Sequence, residues 1–146
     1  MALDFADTIG RYISISWRRM SSRMARRLAP HGIGAGQFPI LFTLFIEDGL
    51  SQQSIARKMA SDKAAVTRAI TGLERGGYVR REPDRRDKRA YCVRLTAKAK
   101  KLRPALEAAA ARTLEEMQAG LTETERTQTK KLLKRIATNI CAAKGE

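Results

Sequence analysis

Residues 76–96 read GGYVRREPDRRDKRAYCVRLT, and this stretch predicts the fold of the 146-residue chain better than any other. After the two glycines, the pattern predicts one strand from Tyr78 to about Glu82 and a second from about Arg89 to Leu95. The second strand alternates, with Tyr91, Val93 and Leu95 on one face and Ala90, Cys92 and Arg94 on the other. The short connection between the strands is rich in arginine and aspartate. The stretch is therefore typical of a β-hairpin with a basic tip.

Two predicted helices precede this hairpin. The helix from Asp62 to Arg75 is amphipathic, because its apolar residues follow a helical period at Val66, Ala69, Ile70 and Leu73. A shorter helix from Gln52 to about Met59 comes before it, with Ser51 as its N-cap. A break at residues 60–61 separates the two helices. Two helices joined by a short turn and followed by a β-hairpin form a winged helix-turn-helix.

The rest of the chain is predicted to be helical. The boundaries expected for these helices are about Leu3 to Leu28, Gly36 to Glu47, Ala97 to Ala119, and Thr122 to Ala142. Thr96 is expected to cap the third of them, and Thr122 with Glu125 has the spacing of a capping box for the last. The second is almost wholly apolar and is expected in the centre of the core. The fold class is therefore mainly α with a small β-hairpin.

The chain is interpreted as a single domain with two parts. A winged-helix lobe covers about residues 36–96, and a helical region combines about residues 1–30 with 97–146. The helices of this region carry apolar stripes that a winged-helix core cannot cover. In the first helix the stripe is Ile9, Ile13, Trp17, Met20, Met24 and Leu28; in the last it is Leu132, Leu133, Ile136 and Ile140. We expect these stripes to pack against a second copy in a homodimer, with packing inside one chain as the alternative.

Positive charge is concentrated in the middle of the chain. The formal net charge is +14, and 16 of the 29 Lys and Arg residues lie between Arg57 and Arg103, together with 5 of the 15 acidic residues. Such a concentration indicates a surface that binds a polyanion. A solvated basic face that only favours solubility is the alternative.

Other functional classes find little support. One histidine, two distant cysteines and no glycine-rich phosphate loop give no basis for an enzyme, a metal site or a bound cofactor. Cys92 and Cys141 are expected to be buried and inert, with a redox switch as the alternative. No signal peptide is recognisable, and the apolar run at Phe38–Ile46 is too short to span a membrane. We expect a soluble, cytoplasmic protein.

The predicted Asp62–Arg75 helix carries side chains suited to reading DNA. The residues opposite its apolar face, or near its start, are Ser61, Lys63, Ala64, Thr67, Arg68 and Thr71. Arg68 has the donor geometry for a bidentate contact with guanine, and Thr67 can touch a thymine methyl or donate to a phosphate. Lys63 and Ser61 are better placed for phosphates. Ordinary helix-surface polarity is the alternative for each residue.

The hairpin tip is suited to the minor groove of a duplex. Arg86 and Arg89 bracket Asp87 and Lys88. A narrow minor groove has a negative potential that attracts arginine. Asp87 is expected to orient the guanidinium of Arg89. A mobile loop with solvated charge is the alternative. Helix and hairpin together indicate binding to double-stranded DNA.

Residues 50–96 resemble the winged-helix core of the MarR family of bacterial regulators. The most specific motif is D-x-R-D-x-R followed by V-x-L-T, matched at Asp84, Arg86, Asp87, Arg89, Val93, Leu95 and Thr96. A D-K-x-x-V-T-R segment is matched at residues 62–68, and a Leu-Glu-x-x-Gly-x-Val-x-Arg segment at residues 73–81. Ser54 departs from the pattern, since members often place a glutamate there.

The resemblance implies a homodimeric transcription regulator, usually a repressor of a nearby operon. It implies binding to a pseudo-palindromic operator, with the helices in major grooves and the hairpins in flanking minor grooves. It also implies that a small aromatic or phenolic acid binds between the dimerisation helices and the DNA-binding lobe. The side chains on the elements that line this cleft are Trp17, Met20, Met24, His31, Phe38 and Phe42, for each of which core packing is the alternative. The alternatives for function are a winged helix that binds RNA or protein, and a ligand-independent regulator.

Overall fold

The computed structural model describes residues 4–142. The helices are α1 (Ile9–Leu28), α2 (Phe38–Ile46), α3 (Gln52–Met59), α4 (Lys63–Arg75), α5 (Ala97–Gln118) and α6 (Glu123–Ala142). The strands are β1 (Leu50–Ser51), β2 (Val79–Pro83) and β3 (Tyr91–Leu95), and a short 3-10 turn at Ala29–His31 follows α1. The predicted class, mainly α with a small β-hairpin after a helix-turn-helix, is confirmed.

The first helix begins later than predicted. The hydroxyl of Thr8 accepts a hydrogen bond from the backbone N–H of Arg11 at 3.1 Å, so Thr8 is the N-cap and Ile9 the first helical residue. The predicted start at Leu3 lies outside the described residues. A polar N-cap marks the start of a helix because it satisfies an N–H group that has no partner within the helix.

The caps of the later helices agree with the sequence pattern. Ser51 accepts a bond from the backbone N–H three residues on at 3.1 Å, and Thr96 does the same at the start of α5 at 3.2 Å. Thr122 and Glu125 form the capping box of α6, because each side chain bonds the backbone N–H of the other, at 3.3 and 2.7 Å. The bonds from Thr122 hold the pKa of Glu125 below its ordinary value. Asp62 caps α4 and so precedes it rather than belonging to it.

The sheet has three antiparallel strands in the order β1-β3-β2. The sequence pattern does not predict β1, since two residues are too few to show alternation. The predicted faces of β3 are partly wrong, because Tyr91 is 60% exposed whereas Cys92 is buried. Tyr91 pairs with Pro83 at the outer end of the hairpin, and Cys92 pairs with Ser51 in the middle of the sheet.

The hydrophobic core lies in a compact unit that ends at Thr113. Its most deeply buried side chains come from α1 to α5, β2, β3 and the loop before α2; they are Leu28, Ile33, Ile40, Leu41, Leu44, Ile55, Val66, Ile70, Leu73, Val79, Val93 and Leu106. Fully burying one such side chain contributes about 1.5–3 kcal/mol. Both helices of the helix-turn-helix and both strands of the hairpin are therefore anchored in one core.

The second compact unit begins at Leu114 and includes α6, in which none of the residues 123–142 is buried. Cys141 on this helix is exposed, which contradicts the expectation of a buried thiol, while Cys92 is buried as predicted. Because an isolated helix buries little of its own surface, a residue on α6 is covered only where another element packs on it. No helix within residues 4–142 is both long and apolar enough to cross a membrane.

Candidate nucleic-acid interface

Helix α4 has one buried and one exposed side. Val66, Ile70 and Leu73 are in the core. The exposed side carries four of the residues predicted to contact DNA: Lys63, Ala64, Thr67 and Arg68. A helix of this kind, anchored on one side and carrying short and basic side chains on the other, fits the width of a B-DNA major groove.

The two cationic side chains of α4 that are predicted to contact DNA have no partner among the described residues. Neither Arg68 nor Lys63 forms a side-chain hydrogen bond or an ion pair with any residue from 4 to 142. All the donors of the Arg68 guanidinium therefore remain available to an external acceptor. Lys63 is the first residue of α4, where backbone N–H groups also point out of the helix end.

The hydroxyl of Thr67 is engaged within the protein. It donates to the backbone carbonyl of Lys63 at 2.8 Å, and it accepts a hydrogen bond from the side-chain amide of Gln52. Gln52 is the first residue of α3, so this contact joins the two helices of the helix-turn-helix. Sequence reasoning missed Gln52, because nothing in its local pattern distinguishes it from a solvent-exposed glutamine.

Two further residues that were predicted to contact DNA are less exposed than expected. Thr71 is half-buried, and its hydroxyl lies 3.4 Å from a guanidinium nitrogen of Arg81. Arg81 also forms an ion pair with Glu74, so the strand β2 bonds directly to α4. Ser61 is half-buried as well, and its hydroxyl donates to the carbonyl of Met59 at 3.3 Å. The hydroxyls of Thr71 and Ser61 therefore already have hydrogen-bond partners within the protein.

The hairpin tip is shaped by two aspartates that bond to the backbone. A carboxylate oxygen of Asp84 accepts from the N–H of Arg86 at 2.8 Å, and one of Asp87 accepts from the N–H of Arg89 at 3.0 Å. The expectation that Asp87 orients the Arg89 guanidinium is corrected, since the carboxylate fixes the backbone instead. Short polar side chains commonly shape turns in this way. The tip exposes the cations of Arg85, Arg86, Lys88 and Arg89, none of which bonds through its side chain to a residue in the described range.

The stem of the hairpin neutralises part of its own charge. Glu82 bonds Arg80 on the same strand at 2.6 Å and Arg94 on β3 at 2.9 Å. The hydrogen bond from Arg80, together with the attraction of both guanidinium groups, holds the pKa of Glu82 below its ordinary value. Because these stem arginines are paired, the unpaired positive charge of the hairpin is concentrated at its tip.

The base of the hairpin is bonded to the rest of the core unit. The hydroxyl of Thr96 donates to the carbonyl of Gly77 at 2.7 Å, and Lys98 lies over the ring of Tyr78 at 4.5 Å. The hydroxyl of Tyr78 donates to the carbonyl of His31 at 2.6 Å. On the other side, Asp48 accepts from the N–H of Leu95 at 2.9 Å. These bonds attach both ends of the hairpin to neighbouring segments of the core unit.

The six residues predicted for an effector site lie in different environments. Met24 and Phe38 are buried, Met20 and Phe42 are half-buried, and Trp17 and His31 are exposed. The rings of Phe38 and Phe42 meet edge to face, with centroids 5.9 Å apart. Packing of this kind agrees with a core role for both phenylalanines, and the effector site stays a prediction.

Three residues absent from the predicted contacts belong to this interface: Gln52, Arg81 and Arg85. Arg85 lies in the same basic run as Arg86, so the run itself was the available signal. The contacts of Gln52 and Arg81 with α4 span 15 and 10 residues of sequence. No local pattern encodes contacts over such separations.

Comparisons with known proteins agree with this geometry. The sequence model of the MarR family matches residues 33–91. The chain is similar to the uncharacterised HTH-type transcriptional regulator YybA of Bacillus subtilis, with 30% identity over 105 residues that cover 72% of this chain and 70% of that protein. Several further curated regulators match over 39–66% of their own length.

Solved structures are similar over almost the whole chain. A MarR transcriptional regulator from Methanosarcina mazei Go1 has 36% identity and a TM-score of 0.85, covering 90% of this chain and 94% of that one. A putative MarR family regulator from Listeria monocytogenes, in complex with a 26mer DNA, has a TM-score of 0.87 at 23% identity, covering 92% and 90%. The second similarity concerns the fold alone.

Proposed function

Since this chain belongs to the MarR family of transcriptional regulators, we propose that it binds a pseudo-palindromic DNA operator as a homodimer. In this proposal α4 enters the major groove of each half-site, and the hairpin tip enters the adjacent minor groove. The observation that carries it is the set of exposed cations on α4 and at the hairpin tip that pair with no residue from 4 to 142, which includes Lys63, Arg68, Arg85, Arg86, Lys88 and Arg89. Phosphate contacts from such cations supply affinity, while base contacts from α4 supply specificity.

Exposed apolar side chains support the homodimer. The stripe of α1 is buried at Met24 and Leu28 but exposed in its first half, where Ile9 is 66% and Trp17 51% exposed. On α6, Ile140 is 69% exposed. Contiguous exposed apolar residues on helices mark surfaces that another protein covers. A two-fold dimer would also match the symmetry of a palindromic site.

The regulator is further proposed to repress a nearby operon and to release it when a small aromatic or phenolic acid binds. Such release requires that the ligand bind the DNA-free arrangement of the two lobes more tightly than the DNA-bound one. The half-buried Met20 and Phe42 and the exposed Trp17 and His31 are the side chains of the predicted effector set with surface left for a ligand.

Selection of binding sites from a random DNA library tests the DNA-binding part. We expect the purified protein to enrich an inverted repeat and to bind it roughly 10³-fold or more tightly than unrelated DNA at physiological salt. Binding to random DNA as tight as to any selected sequence would contradict the proposal. Preferential binding to single-stranded or structured RNA in the same assay would favour the alternative role.

A further inference from the structure

We propose that Gln52 is a positioning residue, which makes Thr67 a reader of a thymine methyl group and excludes it as a phosphate donor. This inference rests on the proposed DNA-binding function and assigns one contact within it. It follows from the hydrogen bonds of the Thr67 hydroxyl and from the place of Gln52 at the start of α3.

The hydroxyl of Thr67 has no proton left for DNA. A threonine hydroxyl carries one proton and two acceptor lone pairs. The proton is donated to the carbonyl of Lys63, which is itself only an acceptor. One lone pair accepts from Gln52. A phosphate oxygen accepts hydrogen bonds and cannot donate, so it gains nothing from the single lone pair that remains.

The orientation of the Gln52 amide follows from the same proton and lone pairs of the Thr67 hydroxyl. Because the only proton of the Thr67 hydroxyl is already donated, the nitrogen end of the amide must face it, as the structure has it. Gln52 is half-buried at the start of α3, and its bond holds the Thr67 hydroxyl on the side of α3 although the bond itself is exposed to solvent. The contact therefore acts as a clamp on one side-chain rotamer.

The clamp matters because threonine in a helix populates two rotamers. In both, its hydroxyl can reach a carbonyl three or four residues before it, and the methyl group changes place between them. Gln52 selects the rotamer in which the hydroxyl faces α3. The γ-methyl of Thr67, which is an exposed residue of α4, then keeps one position.

An apolar group at this position is suited to thymine. The C5 methyl of thymine is the apolar feature of the major groove, and threonine methyl and alanine side chains contact it. Ala64 is exposed one helical turn before Thr67 and adds a second methyl beside it. Arg68, with its free guanidinium, is the next residue. We therefore expect a thymine among the base pairs contacted by this part of α4.

Replacing each thymine of the selected site in turn with uracil tests the methyl contact directly. Uracil lacks only the C5 methyl, and burial of one such group is worth about fourfold in affinity. We expect one uracil-sensitive position per half-site for the unaltered protein. Thr67→Val carries two γ-methyl groups and holds one rotamer in a helix without a hydroxyl bond, so it should keep this fourfold ratio, whatever its absolute affinity. Thr67→Ser removes the methyl and should bring the ratio close to one.

Gln52→Ala tests the clamp, with Gln53→Ala as the matched control. Gln53 is the exposed neighbour on the same helical turn and bonds no described side chain. We expect Gln52→Ala to lower the thymine-to-uracil ratio to about twofold or less, and Gln53→Ala to leave it at about fourfold. A general loss of stability would weaken binding to both DNAs equally and would leave the ratio unchanged.

The outcomes separate this inference from the function on which it rests. If no site is enriched from the random library, both are wrong. If a site is enriched but no position is sensitive to uracil, or if Gln52→Ala keeps the full ratio, the inference alone is overturned. It is also overturned if Thr67→Ser retains the ratio while Thr67→Val loses it.

Discussion

Polar side chains on α4 and just before it look equivalent in the sequence. The fold, however, leaves different hydrogen-bonding groups of these side chains free to bind DNA. The guanidinium of Arg68 donates to no residue from 4 to 142, whereas the hydroxyls of Thr67 and Ser61 already donate to backbone carbonyls and that of Thr71 accepts from Arg81. A donor that is already bonded must lose that bond before it can contact DNA, so its net contribution is small. We therefore propose that Arg68 contributes most of the base readout and that Lys63 binds phosphate.

Replacing these two cations separately distinguishes their roles. Arg68→Ala should cost roughly 1–3 kcal/mol on the selected site and relax its sequence preference. Lys63→Ala should weaken binding to all sequences alike and make the slope of log affinity against log salt shallower by about one unit. Fluorescence anisotropy at several salt concentrations measures both effects. An equal and uniform loss for the two variants would refute the assignment of Arg68 to bases.

At the scale of elements, the turn between α3 and α4 is the feature that joins the two helices of the helix-turn-helix. Ala60 ends α3 with φ 48° and ψ 42°, in the left-handed region. The N–H of Ser61 bonds the carbonyl of Ala56 at 3.0 Å, which closes the turn. Alanine is strained in this conformation because its Cβ approaches the following carbonyl oxygen, whereas glycine is not.

Ala60→Gly is therefore expected to stabilise the fold by roughly 0.5–1 kcal/mol, since it removes this strain at a smaller cost in unfolded-state entropy. Urea denaturation at fixed protein concentration measures the change. Ala108→Gly, on an exposed position of α5, is the control and should destabilise by about 1 kcal/mol. Destabilisation by both variants would show that the strain at Ala60 is negligible.

At the scale of the whole molecule, the main feature that packing within a single chain does not explain is the exposure of apolar residues on α1 and α6. Ile9, Trp17 and Ile140 are at least half exposed, although the unit that ends at Thr113 has a well-filled core. An obligate dimer buries surfaces of this kind, which resemble a domain core divided in two. Stability and DNA affinity would then both depend on protomer concentration.

Introducing a charge into the proposed interface tests the dimer. Ile9→Asp and Ile140→Asp should each raise the dimer dissociation constant by about 100-fold or more, because a carboxylate would be desolvated without a partner. Sedimentation equilibrium measures this constant. Ile46→Asp is the control, since Ile46 is 87% exposed on α2, outside the stripes, and should leave assembly unchanged. A monomeric unaltered protein would favour packing within one chain.

Much of the fold could be predicted because its signals are local. Ser51, Thr96 and the pair of Thr122 with Glu125 cap their helices by bonds that span three residues, and such spacing is visible in a sequence. The apolar period of α4 likewise predicted its buried side. Burial was predicted wrongly where an apolar pattern continued onto residues that the core does not cover, as at Tyr91 in the hairpin and at Cys141 on α6.

The sequence by itself determined the order of the helices, a hairpin within residues 78–95 and the concentration of positive charge between Arg57 and Arg103. These properties follow from periodicity, capping and composition, which act over a few residues. Only the tertiary structure decided which hydrogen-bonding groups remain free. The contacts of Gln52 with Thr67, Arg81 with Thr71 and Asp48 with Leu95 join segments that are distant along the chain. Their partners become neighbours only when the core is packed, because side-chain contacts depend on distance in space.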